Sequence, residues 1–233
     1  MPVVLVTGAS QGIGAAIALE FARQTRADLA LVSRTASKLK TVADACRGAG
    51  ASPRFFQCDL RREREVETMA TSLVSQLGVP DVIVNNAGEF KPGSVQETSP
   101  ADFRDQIDAN LLSAYFVTHA FINPMMERGS GHIFFMASVA SIRGYPSGAA
   151  YCAGKHGLLG LSRALREETK ESGLKVTAII PGATYTASWA DAGIPESRFM
   201  PAEDVARTVL DIYRLGSRSV VEEILIRPQL GDL

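Results

Sequence analysis

The chain reads as one doubly wound α/β domain, a parallel sheet in a three-layer α/β/α arrangement, spanning residues 1–233. Three observations carry that expectation. Short, continuously apolar runs such as Val3-Val4-Leu5-Val6 and Leu29-Ala30-Leu31-Val32 have the composition of parallel strands buried on both faces. Stretches with apolar residues at helical spacing lie between such runs, so strand and helix alternate. No linker, low-complexity segment or internal repeat interrupts the alternation.

A chain of 233 residues supports one large core and is short for two. A hydrophobic content of 46% with 21% charged residues marks a folded, globular protein. The net charge of −1 gives no reason to expect attraction to nucleic acid or membrane. Cys46, Cys58 and Cys152 have neither CxxC spacing nor an even count, and read as reduced, buried thiols without a metal. With no basic-plus-apolar leader and no apolar run near the roughly 20 residues of a membrane helix, the expected location is cytoplasmic.

Val3 to Val6 predict the first strand, and Thr7-Gly8-Ala9-Ser10-Gln11-Gly12-Ile13-Gly14 follow at once, leading into a helix through Ile17, Leu19, Phe21 and Ala22. Strand, glycine-rich turn and helix together make a phosphate cradle, because glycines permit the turn and close approach while helix N–H groups face an anion. The spacing is neither G-x-G-x-x-G nor a P-loop. The second strand, Leu29 to Val32, ends in Ser33-Arg34. A carboxylate at this point binds a ribose diol, whereas arginine accommodates a 2′-phosphate. Arg54 to Cys58 predict a third strand leading to Asp59-Leu60. A crossover helix with its stripe at Val66, Met69, Ala70, Leu73, Val74 and Leu77 comes next. Val82-Ile83-Val84 predict the fourth strand, followed by Asn85-Asn86-Ala87-Gly88, two amides expected both to tie strands and to line a crevice.

Ser99-Pro100 read as an N-cap with proline at the first helical position. That helix runs through Phe103, Ile107, Leu111, Ala114 and Phe121, with Asn110 an odd polar residue inside it. His132 to Met136 predict the fifth strand, with Ala137-Ser138 at its carboxyl end. Lys175 to Ile180 predict the sixth, stopped by Pro181-Gly182. An irregular substrate loop is expected over about 183–200, then a helix from Ala202 to Leu215 and a last strand from Glu223 to Arg227.

Tyr151-x-x-x-Lys155 places a phenol and an ammonium at i and i+4 of a predicted helix, on one face. A cation about 4 Å from the phenol at an effective dielectric of about 20 is worth roughly 4 kcal/mol. That predicts a phenol lowered from about 10 towards about 7, an acid–base group for neutral pH. Cys152 and His156 are expected to face elsewhere, and Ser138 lacks the glycines of a hydrolase elbow.

With these residues in place, the chain resembles the short-chain dehydrogenase/reductase family over essentially its whole length. The matches are Thr7-Gly8-x3-Gly12-x-Gly14, Asp59, Asn85-Asn86-Ala87-Gly88, Asn110, Ser138, Tyr151-x3-Lys155 and Pro181-Gly182-x3-Thr186. The resemblance implies a Rossmann sheet of about seven strands and, with Arg34, a preference for NADP(H). It further implies a homo-oligomer, a dimer or tetramer, to which the two long apolar helices also point. Its catalytic set falls on Asn110, Ser138, Tyr151 and Lys155. Tyr151 would give a proton to the substrate oxygen and Ser138 hydrogen-bond that oxygen. Lys155 would hold the nicotinamide ribose and lower the phenol pKa, and Asn110 would position a water. Gly8, Ser10, Gln11, Gly12, Ile13 and Gly14 would surround the pyrophosphate, and Ser33 and Arg34 the 2′-phosphate. Asp59 and Leu60 would meet the adenine, Asn86, Ala87 and Gly88 its ribose side, and Pro181, Gly182, Thr184 and Thr186 the carboxamide.

The segment Pro181-Gly182-Ala183-Thr184-Tyr185-Thr186-x-x-Trp189 and the tail Val221 to Pro228 are similar to bacterial sepiapterin-reductase-like ketone reductases. Tyr185, Trp189, Phe199 and Met200 are candidate pocket walls, or residues that pack the loop down. The alternatives are a 3-oxoacyl-carrier-protein reductase, an NADP-linked alcohol dehydrogenase, or a protein that senses NADP(H) without chemistry.

Overall fold

The computed structural model describes residues 1–186, 189 and 193–232. Seven strands form one parallel sheet: β1 (Val3–Thr7), β2 (Asp28–Ser33), β3 (Ser52–Gln57), β4 (Val82–Asn85), β5 (Gly131–Met136), β6 (Leu174–Pro181) and β7 (Glu223–Ile226). Their order is β3-β2-β1-β4-β5-β6-β7. Sequence order reverses between β1 and β4, where Leu5 pairs with Ala30 on one side and Ile83 on the other. Such a reversal opens a crevice at the carboxyl ends of the strands.

Alternation along β1 supplies both faces of the core. Val4 and Val6 join Ile17 and Phe21 of α1 (Gly12–Thr25), Leu39 of α2 (Ala36–Gly48), and Val205 and Val209 of α7 (Ala202–Tyr213). Leu5 points the other way, to Val66 and Leu73 of α3 (Glu63–Leu77), Val117 and Phe121 of α5 (Ser113–Arg128), and Leu158 of α6 (Ala149–Thr169). These two apolar layers are the three-layer arrangement expected from the sequence. No helix among the described residues is long and apolar enough to cross a membrane.

One expected helix is divided. Ser99 caps α4 (Pro100–Ile107) by accepting from the Asp102 N–H at 3.0 Å, but a π turn over Asp108–Leu112 separates it from α5. The wider turn brings Asn110 fully inside, at 0% exposure.

Candidate active site

The first element of the site is the turn from β1 to α1. Gly8 has φ +63°, and a Cβ there would stand 2.9 Å from Asn86 Nδ2 and 3.0 Å from Ala87 Cα. At Gly14 a Cβ would stand 2.5 Å from Asn86 Nδ2 and from the Gly8 carbonyl oxygen. Only bare backbone fits, so the turn lies directly on the end of β4. Thr7 Oγ1 accepts from the Asn86 and Ala87 N–H groups at 2.9 and 3.0 Å, and Asn86 Nδ2 donates to the Thr7 carbonyl at 2.9 Å. Asn85 donates instead to Thr118 of α5 at 3.0 Å, so of the two amides Asn86 ties the strands and Asn85 ties β4 to a helix. Gln11 makes no side-chain cap to α1, whose first N–H groups have no partner within the helix. An anion at that end would be favoured by those donors.

The turn opens into a cavity of about 280 Å³ between the ends of β1, β2 and β4. Gly8, Ser10, Gln11, Ser33, Arg34, Asp59, Leu60, Ala87 and Gly88 line it. Gly12, Ile13 and Gly14 belong to the first turn of α1 beside it. Arg34 and Glu89 form a half-exposed ion pair at 3.1 Å. A second cation, Lys38, lies on the same wall and donates to Gln11 Oε1 at 2.7 Å. Lys38 was not anticipated, although one turn after Arg34 at the head of α2 is where a second phosphate contact would stand. Asp59, expected to meet the adenine, lines the cavity with its carboxylate paired to Arg61. Arg61 donates to both oxygens at 2.9 and 2.8 Å and reaches Asp105 of α4 at 2.6 Å. That guanidinium holds the Asp59 carboxyl below the usual carboxylate range.

The second element gathers at the carboxyl end of β5. Lys155 projects from α6 beneath the strand, is 4% exposed, and donates from Nζ to the Met136 carbonyl at 2.8 Å. Nζ lies 5.7 Å from the centre of the Tyr151 ring, so the two side chains share a face as the i,i+4 spacing requires. The Ser138 side chain lies close enough to the Tyr151 phenol to pull its pKa down. Ser138 Oγ accepts from the Ala140 N–H at 3.1 Å, within a capping box that fixes the short turn Val139–Ser141.

The expected drop in the phenol pKa is not found. Burial pushes Tyr151 up, and the neighbouring Ser138 side chain is the effect that pulls it down. Lys155 donates its hydrogen bond to a backbone carbonyl instead of the phenol, and burial lowers its own pKa to about 8. The sequence displays the cation; the burial that raises the phenol is a property of the fold.

Asn110 joins the two elements. Its Oδ1 accepts from the Glu89 N–H at 3.1 Å, and its Nδ2 donates to the Glu89 and Gln106 carbonyls at 2.7 and 2.9 Å. A Cβ on Gly88 would stand 2.7 Å from Asn110 Oδ1 and 3.3 Å from Lys155 Nζ, so all three meet at one point. Cys152 is buried, and His156 Nδ1 lies 2.9 Å from the Cys152 carbonyl, on its own helix.

The third element is the loop over about 183–200, of which residues 187, 188 and 190–192 lie outside the described residues. Gly182 N–H donates to the Ile226 carbonyl at 2.8 Å, and Thr184 pairs with Met200 in an isolated bridge. A Cβ on Gly12 would meet Thr186 Cγ2 at 3.2 Å, so the loop returns to the glycine turn. The Phe199 ring is 5.7 Å from Tyr185 and 5.2 Å from Trp189. Phe199 and Met200 are buried, and Met200 belongs to the core beside α1 and α7. Those two anchor the loop, leaving Tyr185 and Trp189 as the wall candidates. Sequence reasoning missed Phe90, two residues beyond the Asn85 to Gly88 motif, whose ring lies 5.1 Å from that of Tyr151.

Residues 2–196 match the short chain dehydrogenase family. The sepiapterin reductase of Chlorobaculum tepidum is 37% identical over 239 residues, covering 99% of this chain and 98% of that protein. Among solved structures, an alcohol dehydrogenase from the archaeon Thermococcus sibiricus complexed with 5-hydroxy-NADP superposes with TM-score 0.91. It has 27% identity, and the match covers 100% of this chain and 99% of the other. An actinorhodin polyketide ketoreductase variant with NADPH superposes with TM-score 0.89 at 28% identity, over 100% and 98% of the two chains. Sequence, fold and the meeting of Ser138, Tyr151 and Lys155 beside a glycine turn agree: the chain belongs to the short-chain dehydrogenase family.

Proposed function

We propose that this chain uses NADPH to reduce a small carbonyl compound to an alcohol, as a sepiapterin-reductase-like ketone or dicarbonyl reductase. The observation that carries the reading is the Ser138–Tyr151 hydroxyl pair over a buried Lys155, next to a cavity whose glycines leave room only for backbone. The donor set fits NADP(H): free N–H groups at the start of α1 for the pyrophosphate, and Arg34 with Lys38 for the 2′-phosphate. The relatives solved with NADP compounds support the same cofactor.

When bound, the cofactor supplies the hydride. Negative charge then develops on the substrate oxygen, and the chain's donors act there. Tyr151 gives its proton to that oxygen while Ser138 holds it by a second hydrogen bond. A phenol kept protonated by burial suits the donor of a reduction, since the acid is in the correct state at neutral pH. Lys155 positions the phenol, and Asn110 holds the backbone of Glu89 so that Gly88 stays against Lys155. Tyr185 and Trp189 bound the substrate side. The chain acts in the cytoplasm as a single domain assembled into a homo-oligomer, a reading supported by the exposed Phe103, Tyr115 and Met126 on α4 and α5. Light scattering that finds only monomer at micromolar concentration would remove the assembly.

The test is a panel of diketones, pterins, 3-oxoacyl thioesters and sugars, followed by NADPH absorbance. Fastest turnover on a dicarbonyl or pterin, with NADPH preferred over NADH, is the expected result. A thioester preference would instead assign fatty-acid chemistry. NADPH binding without turnover on the panel would leave a cofactor sensor.

A further inference from the structure

We propose that Phe90 and Tyr145 form an aromatic platform that selects substrates whose reacting carbonyl is carried on a flat, conjugated ring. The proposal rests on the reading of Tyr151 as the proton donor and names what lies beside it. The Phe90 ring meets Tyr151 edge-on, with centroids 5.1 Å apart and planes at 70°. Tyr145 continues the row at 6.3 Å and 62° from Phe90. Both separations fall within the roughly 4.5–7 Å range of attractive edge-to-face pairs. A third flat ring laid against this row would bring an attached carbonyl to the Tyr151 hydroxyl.

The two rings come from different loops, one after β4 and one between β5 and α6, and the backbone locks those loops together. Gly93 and Gly148 form an isolated parallel bridge, and the Gly93 N–H donates to the Ser147 carbonyl at 2.9 Å. Ser147 holds φ +56°, uncommon for a residue with a side chain, which the bridge fixes in place. The Tyr145 ring packs against Gly148, where an added Cβ would stand 2.4 Å from a ring carbon. Glycine at 148 is therefore what lets Tyr145 reach its position.

Exposure separates these rings from those that hold the fold. Phe21, Phe121, Phe134 and Phe135 are completely buried, whereas Phe90 is 42% and Tyr145 37% exposed despite their fixed supports. Fixed, adjacent and open aromatic faces beside a proton donor have the form of a binding surface. An alkyl ketone would be served as well by leucine or valine; the benefit of two edge-to-face rings goes to a planar partner.

The experiment compares 1-phenylpropane-1,2-dione with its cyclohexyl counterpart, similar in bulk but differing in flatness and in conjugation of the carbonyl, so that Phe90→Leu and Tyr145→Leu supply the reference ratio. Wild type should favour the phenyl compound beyond that reference by about three- to tenfold in kcat/KM, the factor an aromatic pair of about 0.5–1.5 kcal/mol produces. The preference should reside mainly in KM. Phe90→Leu and Tyr145→Leu, which keep apolar volume, should bring the wild-type ratio down by that factor, while Tyr145→Phe retains it. A second readout needs no turnover: saturation-transfer NMR of benzamide against cyclohexanecarboxamide in the NADPH complex. Equal binding of the two amides, or a preference untouched by Phe90→Leu, overturns the platform. Loss of turnover on both diones with the benzamide preference intact would overturn the reductase reading and leave the platform standing.

Discussion

Strand β5 has a buried nitrogen base at each end, and the two have opposite fates. Lys155 is held at the carboxyl end by the Met136 carbonyl, and His132 sits near the other end, 3% exposed, with Nε2 2.7 Å from Thr177 Oγ1. Burial drives both towards neutrality, Lys155 to about 8 and His132 to about 3. Their surroundings differ in kind. His132 stacks on Phe134 at 3.9 Å, and its Nδ1 has no hydrogen-bond partner among the described residues. Lys155 instead meets Gly88, Asn110 and the Tyr151 ring, beside an open cavity. A perturbed pKa marks burial at either end; only the carboxyl end of a parallel sheet, where helix starts and loops converge, turns it to chemistry.

The comparison breaks most directly at Tyr151, the group that Lys155 has within reach and His132 lacks. Tyr151→Phe should cut carbonyl reduction by about 10²–10⁴, the usual contribution of a positioned acid, while the dissociation constant for NADPH stays within a fewfold. Single-turnover hydride transfer and fluorescence titration measure the two. Unchanged turnover would remove the phenol from the mechanism.

At the other end of β5 the prediction concerns stability alone. The folded-state value of His132 lies below its ordinary 6.5, so the unfolded chain takes up the proton first as pH falls. Stability is complete above about 6.5 and drains away towards about 3, a loss of about 3 kcal/mol by pH 4. His132→Asn removes that slope. Denaturant melts of the two proteins from pH 7 to 4 should converge or cross, and parallel curves would refute the assignment.

These two outcomes also indicate what the sequence can disclose. The turn at Gly8, Gly12 and Gly14 and the Tyr151–Lys155 pair were legible because both are local: residues a few positions apart, on elements whose periodicity is plain. The inward position of Asn110 was visible only as an anomaly, since a π turn leaves no mark in apolar spacing. Phe90 and Tyr145 were not read as site residues, because each acquires its place from a loop distant in sequence, whereas Lys38 and Arg61 stand within a few residues of Arg34 and Asp59 and were overlooked. The phenol pKa was misjudged for a related reason, as charge can be counted from residues but desolvation depends on everything folded around them.

Lys155 supplies an effect of similar size. Its folded-state value is below its ordinary 10.5, so the buried charge weakens the protein at neutral pH and ceases to do so as pH rises from about 8 to about 10.5. Wild type should gain about 3 kcal/mol between pH 7 and 10.5 that Lys155→Met does not, although the variant loses activity. Other groups titrating in that range are common to both proteins and cancel in the difference. A constant difference across the range would mean that Lys155 is better solvated than its burial indicates.

The smallest effects belong to charges that stay in water. Arg34 and Glu89 are each about half exposed, and an ion pair of that kind is worth about 0–1 kcal/mol. The pair therefore yields readily to a phosphate, which offers Arg34 a charge-assisted hydrogen bond of about 1.5–3 kcal/mol. Arg34→Ala should raise the KM for NADPH by about tenfold or more and leave that for NADH nearly unchanged. Glu89→Gln removes the competitor and should lower the KM for NADPH by about twofold at low ionic strength, the gain fading as salt screens the pair. If Glu89→Gln instead raised that KM, Glu89 would be orienting Arg34 for the phosphate, and the exposed pair would belong with the preorganised groups at the end of β5.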